Sequence, residues 1–204
     1  MYVMTRHPLQ FNSHLFLCDI RSKWSESDAL SYLDELEKNR YESFKVSEAG
    51  RRFLAARYFL KTVLAQELSC PPTSISFSYT SLGKPYLSQA SHLHFNMSHA
   101  QDLIAIVISS HQVGIDIEYQ RSVHSMDAVA ARVFSAQDQT QLRTTSPKNK
   151  ENKFFELWTK KEATTKASGK GIFTIPVETP NLGVSTITEI LPIGYFGAVC
   201  WVDG

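Results

Sequence analysis

Two segments in the middle of the chain have the hydrophobic pattern of β-strands. The first, DLIAIVIS (102–109), is almost continuously apolar, and the second, VGIDIEYQ (113–120), alternates apolar and polar residues. A period of two places successive side chains on opposite faces of a strand. The second strand therefore has an apolar face that begins at Val113 and an acidic face that carries Asp116 and Glu118. An ordinary strand face shows a mixture of polar residues, so two neighbouring carboxylates mark this face as a candidate site.

Four other segments have helical periodicity. Apolar residues recur at helical spacing between Gly50 and Leu68, and the prolines at 71 and 72 end that pattern. The sequence also predicts a short amphipathic helix over 25–36 and helical structure over 125–142. A further helix is predicted from residue 152 onwards, and the glycines at 169 and 171 end it. The polar segment 143–152 is the best candidate for a loop.

The remaining segments are shorter and mostly β-like. SISFSYT (74–80) alternates as a strand, SLGKPYL (81–87) is a Gly/Pro turn, and LHFNMSHA (93–100) is short and irregular. The segment 172–204 is β-like and interrupted by prolines. In each half, a long helix with basic residues leads to a Gly-Lys turn and then to strands. Internal duplication is therefore a hypothesis, although no residue-level repeat supports it.

Composition narrows the class of protein. With 204 residues, 43% of them hydrophobic and 20% charged, the chain can bury a real core. A net charge of +1 argues against a general nucleic-acid binder. Three distant cysteines give no disulfide framework or zinc motif and fit a reducing compartment. The N-terminus is a poor signal peptide and no apolar stretch of about 20 residues occurs, so we expect a cytoplasmic protein without a membrane span.

The helix predicted after residue 152 carries a second acidic position. Trp158, Glu162 and Lys166 are four residues apart and share one stripe of the helix. Taken alone, the Glu and the Lys are most simply a surface ion pair, worth about 0.3–0.5 kcal/mol. If the acidic strand lies nearby, Glu162 instead completes a set of three hard oxygen ligands that suits Mg²⁺. Lys161, Lys166 and Lys170 would then face an anion, as phosphoryl transfer requires.

Five motifs in order resemble the 4′-phosphopantetheinyl transferase family, in its larger form found with nonribosomal peptide and polyketide synthases. The strand is G-I-D-I-E at 114–118, and F-x-x-x-W-T-x-K-E-A-x-x-K spans 154–166, followed by G-x-G at 169–171. Upstream, GRRFLAARYFL (50–60) looks like the family's Arg-bearing helix. GKPYL (83–87) and FNMSHA (95–100) look like its G-K-P and F-N-x-S-H elements. The resemblance covers residues 38–171.

The resemblance implies a fold, a reaction and partners. The expected fold is α+β, with two similar halves related by a pseudo-twofold axis and an active site in the cleft between them. We place these halves at residues 1–110 and 111–204. The implied reaction is Mg²⁺-dependent, with Mn²⁺ as a possible replacement. It transfers the 4′-phosphopantetheine arm of coenzyme A to a serine of an apo acyl or peptidyl carrier protein and releases 3′,5′-ADP. Because both halves lie in one chain, we expect a monomer that binds neither nucleic acid nor membrane.

Site residues follow from the resemblance position by position. Asp116, Glu118 and Glu162 match the family's Mg²⁺ ligands, and Glu162 also matches the group that helps to deprotonate the attacking serine. Lys166 matches the lysine that meets the pyrophosphate, and with Asp116 and Glu162 it makes up the expected catalytic set. The residues expected to contact coenzyme A are Lys38, Arg40, Arg52, Lys84, Ser98, His99, Asp116, Lys161 and Lys166.

One departure and two alternatives accompany this interpretation. The family often has a glutamate three residues after F-S. Here that position is Asp138, whose carboxylate is on a shorter side chain, and any role of that position is therefore in doubt. The chain could instead be another Mg²⁺-dependent enzyme acting on a nucleotide pyrophosphate. It could also be a coenzyme A- or carrier-binding module without activity, although the intact acidic set argues against this. Trp158 is predicted to be a core residue, and the sequence does not indicate which carrier protein or pathway is served.

Overall fold

A computed structural model describes residues 4–169 and 182–202. Within these residues the protein is a mixture of helices and strands, which confirms the predicted mixed class. The helices are α1 (Glu26–Tyr32), α2 (Glu35–Glu42), α3 (Ser47–Leu68), α4 (Met126–Val133), α5 (Ala136–Thr144) and α6 (Lys150–Ser168). The strands are β1 (Met4–Leu9), β2 (Ser13–Asp19), β3 (Ser78–Tyr79), β4 (Pro85–Tyr86), β5 (His94–Ala100), β6 (Leu103–Ser109), β7 (Gln112–Tyr119), β8 (Leu182–Thr186) and β9 (Tyr195–Val202).

The long helices agree with the sequence pattern, and the first short helix does not. Helix α3 ends where expected and begins three residues before Gly50, and α6 ends at Gly169, whose φ of 69° is left-handed. The single helix predicted over 25–36 is wrong. Asp34 begins a second helix there, because its side chain accepts from the Glu37 amide while the Glu37 carboxylate accepts from the Asp34 amide. This capping box satisfies two amides that the first turn of a helix leaves free.

The strand predictions are right for the two strongly apolar segments and incomplete elsewhere. Strands β6 and β7 lie where the pattern places them. The segment interpreted as irregular is the regular strand β5, and the N-terminal hairpin β1–β2 was not predicted. Only two residues of the strand predicted over 74–80 pair, at Ser78–Tyr79.

The sheets and long helices stack in four layers. The first sheet has the order β1-β2-β6-β5, and the second has the order β7-β9-β8. One face of the first sheet packs on α3, through residues such as Phe16 and Ile106. Its other face, including Leu17, packs on the apolar face of β7, including Ile115. The remaining face of the second sheet packs on α6, so α6 covers the acidic face of β7.

The point at which the chain passes from the first sheet to the second can be compared with the predicted boundary between the halves. The chain leaves the first sheet at the end of β6 and enters the second at β7, close to the predicted boundary between residues 110 and 111. The similarity of two halves about a pseudo-twofold axis stays a prediction. Among the helices described, none has the length and apolar character needed to cross a bilayer.

Candidate active site

Asp116 is buried at the centre of the candidate site. It lies on the face of β7 that α6 covers, and only 5% of its surface is exposed. Its Oδ1 accepts hydrogen bonds from Lys166 Nζ at 2.7 Å and from Ser98 Oγ at 3.0 Å. Its Oδ2 is buried and has no hydrogen-bond partner among the described residues. Burial, assisted by the negative charge of Glu118, raises the pKa of Asp116 against the opposing effect of Lys166.

Strand β5 fixes Asp116 from the side of the first sheet. Asn96 Oδ1 accepts from the Ile115 amide at 2.9 Å, and Ser98 Oγ accepts from the Ile117 amide at 3.2 Å. These side chains occupy the place of a strand partner for the edge of β7. The bonding of Asn96 and Ser98 to β7 is a long-range contact, which explains why the sequence pattern did not indicate strand β5. It also gives Ser98 a structural role that the resemblance did not imply, and its contact with coenzyme A stays a prediction.

Glu118 is held by two donors. Trp158 Nε1 donates to Glu118 Oε1 at 3.2 Å, and Arg121 Nη1 donates to Glu118 Oε2 at 2.8 Å. The Trp158 ring is half-buried and stacks on Phe154 with ring centroids 6.0 Å apart. Trp158 thus packs in an apolar cluster, as the sequence predicts, and also orients a carboxylate of the site. The sequence did not indicate this second contact.

Helix α6 brings Glu162 and Lys166 to the same place. Among the described residues, Lys166 forms its ion pair with Asp116 and not with Glu162, so the simple surface pair within the helix is wrong. Glu162 is half-buried and has no hydrogen-bond or ion-pair partner in the described parts of the chain. Burial first, and then the charges of Asp116 and Glu118, raise the pKa of Glu162. The three predicted acids therefore lie near enough to repel one another.

The chemistry of the acidic set, which consists of Asp116, Glu118 and Glu162, suits a hard divalent cation. Its donors are carboxylate oxygens, and Asp116 Oδ2 is buried without a partner among the described residues. Burial first, and then the charges of acidic neighbours, raise the pKa of Asp116 and of Glu162, and a bound cation would offset both effects. Within residues 4–169 and 182–202, no group of three or more His, Cys, Asp or Glu side chains already has an arrangement that could hold a metal ion. Arg121 and Lys166 occupy oxygens of Glu118 and Asp116, so ligation would require them to move.

A basic cavity adjoins the acidic set. It has a volume of about 520 Å³, and its lining includes Arg40, Arg52 and His99 together with the rings of Phe44 and Phe53. The Arg40 guanidinium lies over the Phe53 ring at 5.5 Å. Partial burial and then the positive charges of Lys166 and Arg52 lower the pKa of His99. His99 therefore lies between the basic cavity and the carboxylates, where an anion that spans both would pass.

Other predicted residues lie further from this cavity. Lys38 is exposed and pairs with Glu35 at 3.1 Å, and it does not line the basic cavity. Lys84 lines a second cavity of about 480 Å³, beside the C-terminal end of α6. Lys161 is half-buried and has no ion pair among the described residues. Lys170 and Gly171 fall outside the described residues.

Asp138 has a local role in the structure. It lies in the first turn of α5, where its amide donates to Ser135 Oγ at 3.0 Å and its Oδ2 accepts from the same hydroxyl at 2.7 Å. Its carboxylate therefore supports a helix cap. This contact accounts for an acidic residue at the position without any part in proton transfer.

Comparison with known proteins identifies relatives over most of the chain. A family model described as "4'-phosphopantetheinyl transferase superfamily" matches residues 112–192. A second, described as "4'-phosphopantetheinyl transferase, N-terminal", matches residues 20–111. The 4′-phosphopantetheinyl transferase HetI of Nostoc sp. is 37% identical over 149 residues, which are 71% of this chain and 63% of HetI.

Two further relatives are also named 4′-phosphopantetheinyl transferases. A 4′-phosphopantetheinyl transferase of Bacillus subtilis is 29% identical over 151 residues, 74% of this chain and 66% of the relative. The 4′-phosphopantetheinyl transferase psf-1 of Bacillus pumilus is 34% identical over 131 residues, 64% of this chain and 55% of psf-1. The matched part of the chain thus spans between 55% and 66% of the length of these three curated relatives.

Proposed function

The chain belongs to the 4′-phosphopantetheinyl transferase superfamily, and we propose that it transfers the 4′-phosphopantetheine arm of coenzyme A to a serine of an apo acyl or peptidyl carrier protein. The transfer releases 3′,5′-ADP. One observation carries this proposal: the carboxylates paired with Lys166 lie beside a basic cavity, and His99 lines that cavity close enough to Lys166 and Glu118 to feel both charges. A diphosphate that bears a further phosphate has the charge distribution to span these two regions.

Asp116, Glu118 and Glu162 are the residues that would hold Mg²⁺, or Mn²⁺ in its place. When bound, such an ion neutralises charge on the diphosphate and polarises its phosphorus–oxygen bonds. Asp116 Oδ2 is the oxygen most ready to serve, because it is buried and has no partner among the described residues. Trp158 holds Glu118 in place through its indole N–H.

Lys166 and Glu162 supply the remaining catalytic groups. The Lys166 ammonium is within hydrogen-bond distance of Asp116, and on moving from it would stabilise the charge that develops on the phosphate of the departing nucleotide. Glu162 accepts the proton of the attacking serine, directly or through a bound water. Its pKa is raised by burial and by its acidic neighbours, which makes it a better base than an exposed glutamate. Lys161, which precedes Glu162 in the chain, contributes a positive charge near the diphosphate.

The adenosine end of coenzyme A occupies the basic cavity in this proposal. Arg40, Arg52 and His99 line that cavity and offer donors for the 3′-phosphate, and the Phe53 ring offers an apolar surface. Lys38 lies on the same helix as Arg40, outside the cavity, and would act on the phosphate only through its charge. Ser98 contributes to the site through the hydrogen bond that its hydroxyl donates to Asp116.

The expected assembly and location follow from the same chain. The strands, helix and cavity that form the site all come from one copy, so a monomer suffices. The three cysteines are free, and Cys18 and Cys200 are buried, which suits a reducing cytoplasm.

Mass spectrometry of an intact carrier protein tests the proposal. Several unrelated apo carriers would be incubated with the protein, coenzyme A and Mg²⁺. We expect each modified carrier to gain one phosphopantetheine arm, and Asp116→Ala to leave the carriers unmodified. The matched control is Asp138→Asn, which removes an acid outside the site. If coenzyme A binds but no carrier is modified, the transferase assignment fails.

Ligand-dependent thermal unfolding separates the proposal from the alternatives. A ligand at about 100 times its dissociation constant stabilises the native state by about 2.7 kcal/mol. We expect coenzyme A with Mg²⁺ to raise the melting temperature and ATP with Mg²⁺ to leave it unchanged. Stabilisation by ATP alone would instead favour another nucleotide-pyrophosphate enzyme.

A further inference from the structure

The turn that carries Lys84 is fixed by its own hydrogen bonds. It joins β3 to β4, and Gly83 adopts a left-handed φ of 83°. The Gly83 amide donates to the Thr80 carbonyl at 2.9 Å, and the Lys84 amide donates to Thr80 Oγ1 at 3.1 Å. The backbone of Lys84 is therefore held firmly, and its side chain leaves the turn in a set direction.

The Lys84 ammonium binds two backbone carbonyls from separate elements. Nζ donates to the Ala167 carbonyl at 2.8 Å and to the Val113 carbonyl at 3.2 Å. Ala167 lies in the last turn of α6, where the carbonyls have no partner within the helix. A positive charge at this end also interacts favourably with the helix dipole. Two of the three ammonium donors are used in this way.

The end of α6 depends on this external cation. The basic residue in its own last turn is Lys166, whose ammonium is bound to Asp116. Gly169 at the C-cap lies next to the Lys84 side chain, since a Cβ built there would be in ordinary van der Waals contact with Lys84 Cδ, at 3.6 Å. Burial lowers the pKa of Lys84 to about 8, as expected for an ammonium enclosed between two elements.

We infer that Lys84 is a positioning residue, which binds the end of α6 to the start of β7 and so keeps Lys166 in contact with Asp116. Ala167 adjoins Lys166, and Val113 lies three residues before Asp116. This role differs from the phosphate contact that the family resemblance implies for Lys84. The effect on catalysis rests on the proposed function, whereas the link between α6 and β7 does not.

Hydrogen exchange of the free protein tests the link directly. In Lys84→Met, which keeps an unbranched side chain as far as Cε and removes the ammonium, we expect the amides of 163–169 and 113–117 to exchange roughly tenfold faster. Amides in the middle of α3 should be unchanged. The matched control is Lys150→Met, which removes a partly exposed lysine at the other end of α6. Unchanged protection at both segments would overturn the inference.

Kinetics with two forms of the co-substrate test the role. For Lys84→Met we expect kcat to fall about tenfold with coenzyme A and equally with 3′-dephospho-coenzyme A, because catalytic groups move while binding persists. The KM for either form should stay within about twofold of the wild-type value. A rise in KM for coenzyme A alone would identify Lys84 as a ligand of the 3′-phosphate and overturn the inference. Unchanged kcat and KM for both forms of the co-substrate would also overturn the inference.

Chemical rescue adds a test that a general loss of stability would not pass. Lys84→Cys in a Cys70→Ser background, alkylated with 2-bromoethylamine, restores an ammonium on a side chain of nearly the same length. Cys18 and Cys200 are buried and thus protected from the reagent. We expect kcat and the protection of 163–169 to return together. If the wild-type protein modifies no carrier, the proposed function fails, and the exchange experiments still decide the role of Lys84.

Discussion

Gly114 of β7 lies directly against Ala163 of α6. A Cβ atom built on Gly114 would be 2.2 Å from the Ala163 carbonyl oxygen, and equally close to the Ala167 amide nitrogen. Real Cβ atoms do not approach backbone atoms to this distance. The glycine of the acidic strand therefore sets the separation between the strand with Asp116 and the helix with Lys166.

This contact predicts a large effect for Gly114→Ala. The methyl group must push α6 away from β7, because the clash involves backbone atoms that cannot rotate aside. We expect the free energy of unfolding to fall by about 1–3 kcal/mol and carrier modification to slow by about 100-fold. Chemical denaturation and mass spectrometry of the carrier would measure the two effects.

Gly183 provides the matched control for that substitution. It lies in β8 of the same sheet, and a Cβ there would approach the Phe11 ring at 3.3 Å, which a side chain can relieve by a small shift. Gly183→Ala should therefore lose little stability and retain the wild-type rate. If Gly114→Ala behaves like Gly183→Ala, the packing of α6 on Gly114 does not set the geometry of the site.

Asp116→Asn should separate stability from activity. Burial raises the pKa of Asp116, which means that the fold disfavours its charged form. A neutral amide of the same shape removes that cost, and Lys166 is exposed enough to find water. We expect an unchanged or higher melting temperature and a loss of at least about 100-fold in transfer rate. A marked fall in melting temperature would show that the Asp116–Lys166 pair is chiefly structural.

The sequence predicted those parts of the site that depend on the pattern of a single strand or a single helix. Alternation in β7 predicted that Asp116 and Glu118 share a face, and helical spacing predicted that Glu162 and Lys166 share a stripe. The structure brings these two faces together. The sequence could not show that Lys166 binds Asp116, because an ion pair between elements depends on how they pack and not on either pattern.

Most of the features that the sequence did not predict depend on polar contacts between residues far apart in the chain. Strand β5 appeared irregular because Asn96 and Ser98 occupy the positions that a sheet usually fills with apolar residues. Their side chains bind amides of β7, a partner that lies beyond the next strand in the sequence. The capping box at Asp34 was different, since its Asp-x-x-Glu pattern is local. That helix start could have been predicted.

Trp158→Phe should reduce catalysis more than stability. A phenyl ring can keep the stacking on Phe154 but cannot donate the hydrogen bond to Glu118. We expect kcat to fall about tenfold, with a loss of about 1 kcal/mol in the free energy of unfolding. Trp24→Phe is the comparison, because it also removes an indole hydrogen bond, to the Ile20 carbonyl. Equal rates in the two variants would mean that Trp158 does not orient Glu118.

The charge of Lys84 should be lost at an unusually low pH. Its folded pKa is about 8, below the ordinary lysine value of about 10.4, because its ammonium is buried. Between these values the unfolded chain binds more protons than the native chain, so the contribution of Lys84 to the free energy of unfolding increases as pH rises. Cys200 opposes the lowering of this pKa, and the pKa of the Cys200 thiol is itself raised by burial.

Two measurements check this titration. NMR of ¹³Cε-labelled lysine should show one resonance with a midpoint near pH 8 that is absent from Lys84→Met. The difference in the free energy of unfolding between wild type and Lys84→Met should shift in favour of the wild type from pH 8 to pH 10. Titration of every lysine near the ordinary value would contradict the enclosed position of this ammonium.

The basic cavity depends on a buried ion pair behind it. Lys61 of α3 is fully buried and donates to Glu37 Oε2 at 2.6 Å, and Arg57 Nε lies 3.1 Å from Glu37 Oε1. Glu37 belongs to α2, the helix that also carries Arg40 into the cavity. These contacts therefore fix α2 on α3, and with it the position of a residue proposed to bind the 3′-phosphate.

Lys61→Met should consequently affect both stability and binding. Removing one partner leaves the buried Glu37 carboxylate poorly compensated, at a cost of about 3–5 kcal/mol in the free energy of unfolding. Adding Glu37→Gln should recover part of this loss, because the two residues are directly coupled. Lys150→Met, which breaks an exposed pair, should cost less than about 1 kcal/mol. Calorimetric titration with coenzyme A should show weaker binding for Lys61→Met, since α2 is less firmly held. Unaltered affinity despite the loss of stability would mean that the position of Arg40 does not depend on this pair.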